Sequence, residues 1–593
     1  MHQHPSTPIP DDISPGASTE PTSGPTGSSI ESSTSQGSVI EARHITVASD
    51  DGNPLLDNVT LTLRPGELAA IVGASGAGKS TLLRALCADR ELASGRLLVD
   101  GDDVTADPVA ALRIGFVPQA DPLPTDLPLG RMMHYAARLR LPRHTSRADV
   151  QSAVARALEA VDLQSSIDTQ VGQLSGGQQR RASIAVELLD ENRTVLLDEP
   201  TSGLDPTMAG VVIDELGALV ARQATVVFST HRASDLADCD RIIAVDRGAI
   251  AFDGSLAELY AATGSCDLEH AHRALIAGRL DDAWRTNTAT DTSSSLTSVP
   301  EATHPIATSG RCDERSRATT RPTRRHQWST LTVRTLDAIV HNRLTLGVMI
   351  GAPAMVIAMF AVLFRRGAFD SVEPSPTAVI MITFWIAFGS FFFGLTYGLL
   401  QICTEIASMR RERRVGVGAF VQVTAKFAAL APVLIGINVA MLAVLRWLDR
   451  LPAIPAHTAA TLTVTLGLGA CAALALGLAA SALVATPAQA SLALPMLCFP
   501  AVLFSGAILP VPQMAPAGRA ISAAMSDRWA FEAVGRELGV PDVLSLTNAG
   551  NALRAEFGAT WSIANATAWT VMTGFAVLFT AVAVVAVDRR CRR

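Results

Sequence analysis

Residues 73–80 read Gly73-Ala74-Ser75-Gly76-Ala77-Gly78-Lys79-Ser80, directly after the apolar run Leu68-Ala69-Ala70-Ile71-Val72. A helical pattern opens at Thr81. The pattern G-x-x-x-x-G-K-S between a strand and a helix is a phosphate loop. Gly73, Gly76 and Gly78 let backbone N–H groups close around phosphate oxygens, and Ser75 and Thr81 are phosphate-binding candidates with them. The helix N-terminus adds a field that favours an anion. Lys79 is placed to neutralise phosphate charge, and the Ser80 hydroxyl to ligate Mg²⁺.

Other strands of the same kind follow. Thr194-Val195-Leu196-Leu197-Asp198-Glu199 is an apolar strand ending in two acids, and Thr225 to Thr230 is a second β-branched run. Continuous apolar strands between helical patterns suit a parallel sheet covered by helices on both faces. Acids at a strand's C-terminal edge fall beside the phosphates. Asp198 is then a Mg²⁺ ligand through water, and Glu199 a general base for an attacking water.

Leu174-Ser175-Gly176-Gly177-Gln178 lies between these elements and opens a helix. This LSGGQ run resembles the signature of the ABC ATPase family, and its place between a phosphate loop and an acidic strand makes the resemblance specific. The family implies ATP and Mg²⁺. It also implies that Ser175, Gly176, Gly177 and Gln178 hold the γ-phosphate of a nucleotide bound by another subunit. Gln119, in Phe116-Val117-Pro118-Gln119, resembles the Q-loop that contacts Mg²⁺ and senses the membrane domain. Ser202-Gly203-Leu204-Asp205 resembles the D-loop that crosses the dimer interface, and His231 the switch histidine at the γ-phosphate. One departure stands out: the aromatic residue on which many members stack adenine is missing around Val47 to Asp51.

Composition splits the chain. Of 593 residues, 48% are apolar and 17% charged, the average of a soluble half joined to a membrane half. A net charge of −7 argues against nucleic acid as a partner. The 8 cysteines include no close pair and no zinc-like spacing, so neither a disulfide framework nor a metal site is expected. Residues 1–38, rich in Ser, Thr, Pro and Gly and without a signal-peptide core, are expected to be a disordered tail. An ATP-binding domain is expected over 39–263, a linker over 264–325 and an amphipathic helix along the membrane surface over 326–343. Six apolar runs long enough to cross a bilayer follow within 344–593. They are Leu344–Phe364, Thr377–Leu400, Phe427–Leu445, Thr458–Ala485, Ala488–Leu509 and Ala566–Val587. The basic cluster Arg410 to Arg414 and the terminal Arg589, Arg590, Arg592 and Arg593 put the soluble half, that loop and the C-terminus on the cytoplasmic side. Arg365, Arg366, Arg446 and Arg450 run against the rule but are outweighed. The location expected is the plasma membrane, crossed several times.

An ATPase followed by a membrane domain resembles the ABCG/White subfamily and its bacterial relatives, with an ABC-2 type membrane part. Tyr135 to Pro142 and Val186-Glu187-Leu188-Leu189 carry the resemblance in the soluble half. Glu405 with Arg411-Glu412-Arg413, Phe504-Ser505-Gly506-Ala507 and Trp529 to Glu532 carry it more weakly in the membrane half. His231 is followed by Arg232-Ala233 instead of the usual Gln-Pro. The segment expected outside, Pro510 to about Asn565, has no cysteine and so lacks the disulfide of some animal members, which with the Ala-rich composition points to a bacterial protein. One phosphate loop and one signature per chain imply a dimer of half-transporters, with itself or with a different partner. Glu405 is the candidate polar relay, and Phe384, Phe388, Phe391, Phe392 and Phe393 are candidates for a path taking amphipathic or lipid-like cargo; they equally suit helix packing. The resemblance implies an ATP-driven exporter. The alternative is a non-transport ABC machine that drives a partner protein through its membrane helices.

Overall fold

The computed structural model describes residues 38–49, 51–104, 114–119, 123–190, 194–278, 322–370 and 372–592. Nearly all of the expected 1–38 tail and the 279–321 part of the expected linker lie outside the described residues.

The strands are β1 (Ile40–Ala48), β2 (Pro54–Leu63), β3 (Leu68–Val72), β4 (Ser94–Val99), β5 (Asp102–Asp103), β6 (Ile114–Val117), β7 (Thr194–Leu197), β8 (Thr225–Ser229), β9 (Arg241–Asp246) and β10 (Ala249–Gly254). One sheet runs β10-β9-β3-β8-β7-β6, parallel except for the edge pair β10–β9. A second runs β2-β1-β4-β5 and is antiparallel. The helices of this half are α1 (Lys79–Leu86), α2 (Leu129–Arg140), α3 (Arg147–Glu159), α4 (Gly176–Glu187), α5 (Pro206–Ala221), α6 (Leu256–Thr263) and α7 (Leu268–Ile276).

Period-2 alternation divides the parallel sheet between two cores. Leu68, Ala70, Val72, Val195, Leu197, Val226 and Phe228 face the helices α2 to α7. Ala69, Ile71, Leu196, Val227, Ile243 and Val245 face α1 and the antiparallel sheet. Helices thus lie on both faces as expected, but among the described residues the second face holds α1 alone, beside an antiparallel sheet. Ile40, Ala42, Ile45 and Val47 of β1, with Leu56, Val59, Leu61 and Leu63 of β2, bury one side of a sheet and cover that face. The expected linker is corrected. Its first part is α7, capped by Asp267 accepting from the His270 N–H at 3.1 Å, and its Ala271 and Leu275 enter the helical-side core.

The second half opens with α8 (Arg324–His341), then α9 (Arg343–Leu363), α10 (Pro376–Leu399), the short α11 (Ile406–Arg414), α12 (Ala419–Trp447), α13 (Ala456–Leu483) and α14 (Pro487–Phe504). Four short helices follow: α15 (Pro516–Ala523), α16 (Ser526–Glu537), α17 (Val540–Ser545) and α18 (Asn548–Phe557); the chain closes with α19 (Asn565–Arg592). Among the described residues six helices, α9, α10, α12, α13, α14 and α19, are long and apolar enough to cross a membrane. They correspond in order to the six expected spans; α12 begins eight residues earlier than expected, which brings Lys426 into it.

The helices α10 and α13 form the centre of the bundle. A Cβ on Gly394 would sit 2.3 Å from the Ala470 carbonyl oxygen, and one on Gly398 2.6 Å from that of Leu474. Small residues one turn apart thus let two backbones touch, a packing mode suited to a solvent as apolar as the side chains. The segment expected to lie outside is not all peripheral: Ala530, Phe531, Ala533 and Val534 of α16 belong to the bundle's core. Three of the candidate path phenylalanines, Phe384, Phe391 and Phe393, are buried in the protomer, while Phe388 and Phe392 are partly buried. Helix packing, the second reading of these residues, is what the single chain realises for the first three.

Candidate functional site

Four neighbouring parallel strands end at one edge, and each delivers part of the site. The phosphate loop follows β3, His231 follows β8, Asp198 and Glu199 follow β7, and Gln119 follows β6. In-register pairs such as Ile71 with Ser229 and Val117 with Leu197 keep the four ends level. Residues far apart in sequence meet because the strand order is not the chain order.

The loop is held tightly. Gly73 has φ +152°, and a Cβ there would lie 2.3 Å from the Val245 carbonyl oxygen. Gly78, at φ 110°, is the residue before α1, so the first N–H groups of the helix point into the loop. Lys79 is buried, its ammonium donating to the carbonyl oxygens of Gly73 at 2.8 Å and Ala74 at 3.0 Å. The Ser80 hydroxyl donates to Asp198 Oδ1 at 3.0 Å, and the Ser229 hydroxyl donates to the same oxygen at 2.7 Å. Thr81 lies half-buried in the first turn of α1, whereas Ser75 and Gly76 are exposed at the loop's crest.

Glu199 has φ 47°, a sparsely populated conformation for a side chain of this kind. Its N–H donates to the Ser229 hydroxyl at 2.9 Å, which helps hold the turn. Its Oε2 accepts from Gln119 Nε2 at 2.8 Å and lies 3.7 Å from His231 Nδ1. The three candidate catalytic residues therefore meet at one carboxylate oxygen. Ser80 and Asp198 present hard oxygen donors, the chemistry Mg²⁺ takes, and a cation that keeps several waters and binds phosphate needs few protein ligands. The residues present fit a magnesium triphosphate.

The signature residues are assembled but stand apart. Ser175 caps α4: its hydroxyl accepts from the Gln178 N–H at 3.3 Å, and Gln178 Oε1 accepts from the Ser175 N–H at 2.9 Å. This capping box fixes the helix start. Ser175 and Gly176 are exposed, Gly177 is buried, and no hydrogen bond or ion pair among the described residues joins Ser175 to Gln178 with the phosphate loop of the same chain. Asp205 is the cap of α5, accepting from Thr207 and Met208 N–H at 3.0 and 3.1 Å.

Several participants escaped the sequence reading. Arg180, just past the signature, donates to the carbonyls of Pro118 and Asp198, both at 2.6 Å, and so ties α4 to the ends of β6 and β7. Asp235 Oδ2, buried, accepts from the Thr201 hydroxyl at 2.6 Å and the Thr230 hydroxyl at 2.7 Å, bracing the segments after Glu199 and before His231. A basic pair after the signature was the one visible signal for Arg180; nothing local marks Asp235.

A chain of buried charges joins this edge to the membrane helices. Glu187, at the end of α4, accepts from Arg140 at 3.0 and 2.9 Å and from Arg411 Nε of α11 at 2.7 Å. Arg411 also donates to the Ser183 carbonyl at 2.6 Å. Burial pushes the Glu187 carboxyl up, but Arg140 and Arg411 outweigh it and hold the group down at about 2. Arg414 stacks over the Phe116 ring at 4.8 Å and donates to the Phe116 carbonyl at 3.1 Å, three residues before Gln119. Arg334 of α8 pairs with Glu412 and lies 3.6 Å from Glu405, which pairs with Lys426 of α12 at 2.9 Å. Glu405, the candidate relay, is thus one node of a knot linking α8, α11 and α12.

Both halves of the chain match known protein families. The family model described as ABC transporter matches residues 56–202, and the model described as ABC-2 type transporter matches residues 326–535. The chain is 41% identical over 211 residues to an ABC transporter ATP-binding/permease protein of Mycobacterium tuberculosis, covering 35% of this chain and 24% of that protein. It is 39% identical over 207 residues to ABC transporter G family member 4 of Arabidopsis thaliana, covering 34% and 35%. A phosphonates import ATP-binding protein of Rhizobium johnstonii is 36% identical over 220 residues, which is 35% of this chain and 78% of the relative. The chain thus spans only about a quarter to a third of the first two relatives.

Proposed function

Because the chain belongs to the ABC transporter family, we propose that it is a half-transporter that hydrolyses ATP at a dimer interface and uses the cycle to export amphipathic or lipid-like molecules. The observation that carries the reading is the meeting of Gln119 and His231 at one oxygen of Glu199, beside a phosphate loop, in a chain that also has six helices of membrane-spanning length.

On arrival of the triphosphate, Lys79 exchanges two backbone carbonyls for phosphate oxygens. Ser80 and Asp198 would hold Mg²⁺, which supplies charge neutralisation at the phosphates when bound. Glu199 takes the proton of the attacking water, with Gln119 and His231 keeping its carboxylate aimed. The exposed, capped start of α4 offers its N–H groups to a phosphate it does not meet in its own chain, so a second chain completes the site. One chain holds every element, which favours a homodimer; a heterodimer keeps the same chemistry. Closure of the two ATPase domains would move α11 through Glu187 and Arg411. The charge pattern of the loops favours a plasma-membrane protein with the ATPase domain and C-terminus cytoplasmic. The importer among the relatives leaves direction to experiment, and the partly buried Phe388 and Phe392 favour amphipathic cargo.

The test is ATP hydrolysis and ATP-dependent cargo movement by the full chain in liposomes, with Glu199→Gln beside it. Loss of a general base costs on the order of 100- to 10,000-fold. Wild-type hydrolysis in the variant would remove Glu199 from the chemistry. Intact hydrolysis that no amphipathic compound stimulates, with none moved, would refute export and favour a machine acting on a partner protein.

A further inference from the structure

The helix α8 is amphipathic the wrong way round for a face in water. Its inward side is mostly polar: Gln327, Thr330, Arg334 and Thr335 are buried beside Leu331 and Ile339. Its outward side carries apolar ones: Trp328, Val333, Leu336 and Val340 are 38, 53, 38 and 65% exposed. Arg325, Ser329, Val333, Leu336 and Val340 recur at steps of three or four residues, which places them in one stripe, with Trp328, three residues after Arg325, along its edge. The stripe runs into exposed Arg343 and Leu344, where α9 begins. The inward polarity has a cause, since Arg334 is tied to Glu412 and Glu405. An apolar outward face continuous with a bilayer-crossing helix lies in the membrane interface.

At the amino-terminal end of the stripe the chemistry changes. Arg143, Thr323, Arg324, Arg325, His326 and Ser329 line one open hollow, without an acidic residue among them. Arg143, Arg324 and Arg325 are exposed and form no ion pair with the described residues. Arg143 comes from the loop after α2, so the hollow draws charge from two separate elements. The neighbourhood is electropositive: burial, then Arg138 and Arg143, hold the His326 imidazole below its usual range.

We propose that this hollow binds the phosphate headgroup of an anionic phospholipid of the cytoplasmic leaflet, with the Trp328–Val340 stripe lying on its acyl chains. The proposal rests on the reading that the chain crosses a membrane with its ATPase domain cytoplasmic. Planar guanidinium forks match phosphate oxygens, and the ammonium of a zwitterionic headgroup would meet three like charges. One Arg near an anionic surface is worth about fivefold in lipid affinity, so three together are worth on the order of 100-fold before screening.

The experiment is quenching of tryptophan fluorescence by brominated phosphatidylglycerol or brominated phosphatidylcholine, with the full chain reconstituted in each. Trp328→Phe isolates the Trp328 signal by difference, and Trp447, 82% exposed on α12, is the control for bilayer contact. The expected result is stronger quenching of Trp328 by the anionic lipid, and a preference reduced at least tenfold in R143Q/R324Q/R325Q. Equal quenching by the two lipids, or a preference that survives in the triple variant, overturns the proposal. Reversal by soluble glycerol phosphate would overturn the lipid as the source of the phosphate. Quenching of Trp447 without Trp328 would overturn the headgroup site alone; quenching of neither would overturn the membrane reading beneath it.

Discussion

Replacing Glu187 by Gln should separate ATP hydrolysis from the membrane helices. Glu187 is 4% exposed and sits between Arg140 and Arg411, with contacts of 2.7 to 3.0 Å. The amide keeps the shape and one acceptor oxygen but withdraws a negative charge from between two buried guanidiniums. The fall of the carboxyl from 4.5 to about 2 corresponds to about 3 kcal/mol of preference for the charged form. Breaking a buried pair by removing one partner costs roughly 3–5 kcal/mol, in the same range. Because the folded value is depressed, this contribution is present above the ordinary carboxylate range and is lost as the pH falls from about 4.5 toward 2. The assay has two parts: thermal unfolding of the purified chain, and hydrolysis with and without cargo. The expected outcome is a lower transition temperature and basal hydrolysis that no longer responds to cargo, since the site residues at Glu199 are untouched. An apolar triple variant, R140L/E187M/R411M, should recover most of the stability, because well-packed apolar groups can replace a buried ion cluster, but not the response. Unfolding and cargo response equal to wild type in Glu187→Gln would refute the reasoning.

Further outcomes are expected at the nucleotide edge and beyond it. Asp235→Ala leaves the buried hydroxyls of Thr201 and Thr230 without their acceptor, at about 1–3 kcal/mol each; denaturant unfolding should show the loss, and hydrolysis should fall as the segments carrying Glu199 and His231 loosen. Gly73→Ala drives a methyl group to 2.3 Å from the Val245 carbonyl oxygen, so nucleotide binding followed by a fluorescent ATP analogue should disappear while the membrane helices stay folded. Glu199→Gln should bind nucleotide and hydrolyse it at least about 100-fold more slowly, and R143Q/R324Q/R325Q should lose lipid selectivity with unchanged stability in detergent.

The sequence by itself determined the chemistry-bearing motifs, the order of the two halves and the number of spans. A phosphate loop, an acidic strand end and a capped helix start are local patterns, legible because each depends on residues within one turn or strand. The six apolar runs are legible for the same reason, since length and composition decide whether a helix can cross a bilayer. Only the tertiary structure decided what those pieces meet. Parallel pairing in the order β3-β8-β7-β6 brought Gln119, Glu199 and His231 together, and strand order is set by crossovers that no local pattern encodes. The antiparallel sheet over one face was missed because β1 and β2 alternate too irregularly, with register shifts between Ala42 and Ala48. The helix Leu268–Ile276 was missed because two apolar positions suffice to dock it. Glu187 and Arg411 stand in sequence as an acid and a base 224 residues apart; burial against each other gives them a joint role, because an ion pair has energy only where the fold removes water and brings the charges within reach.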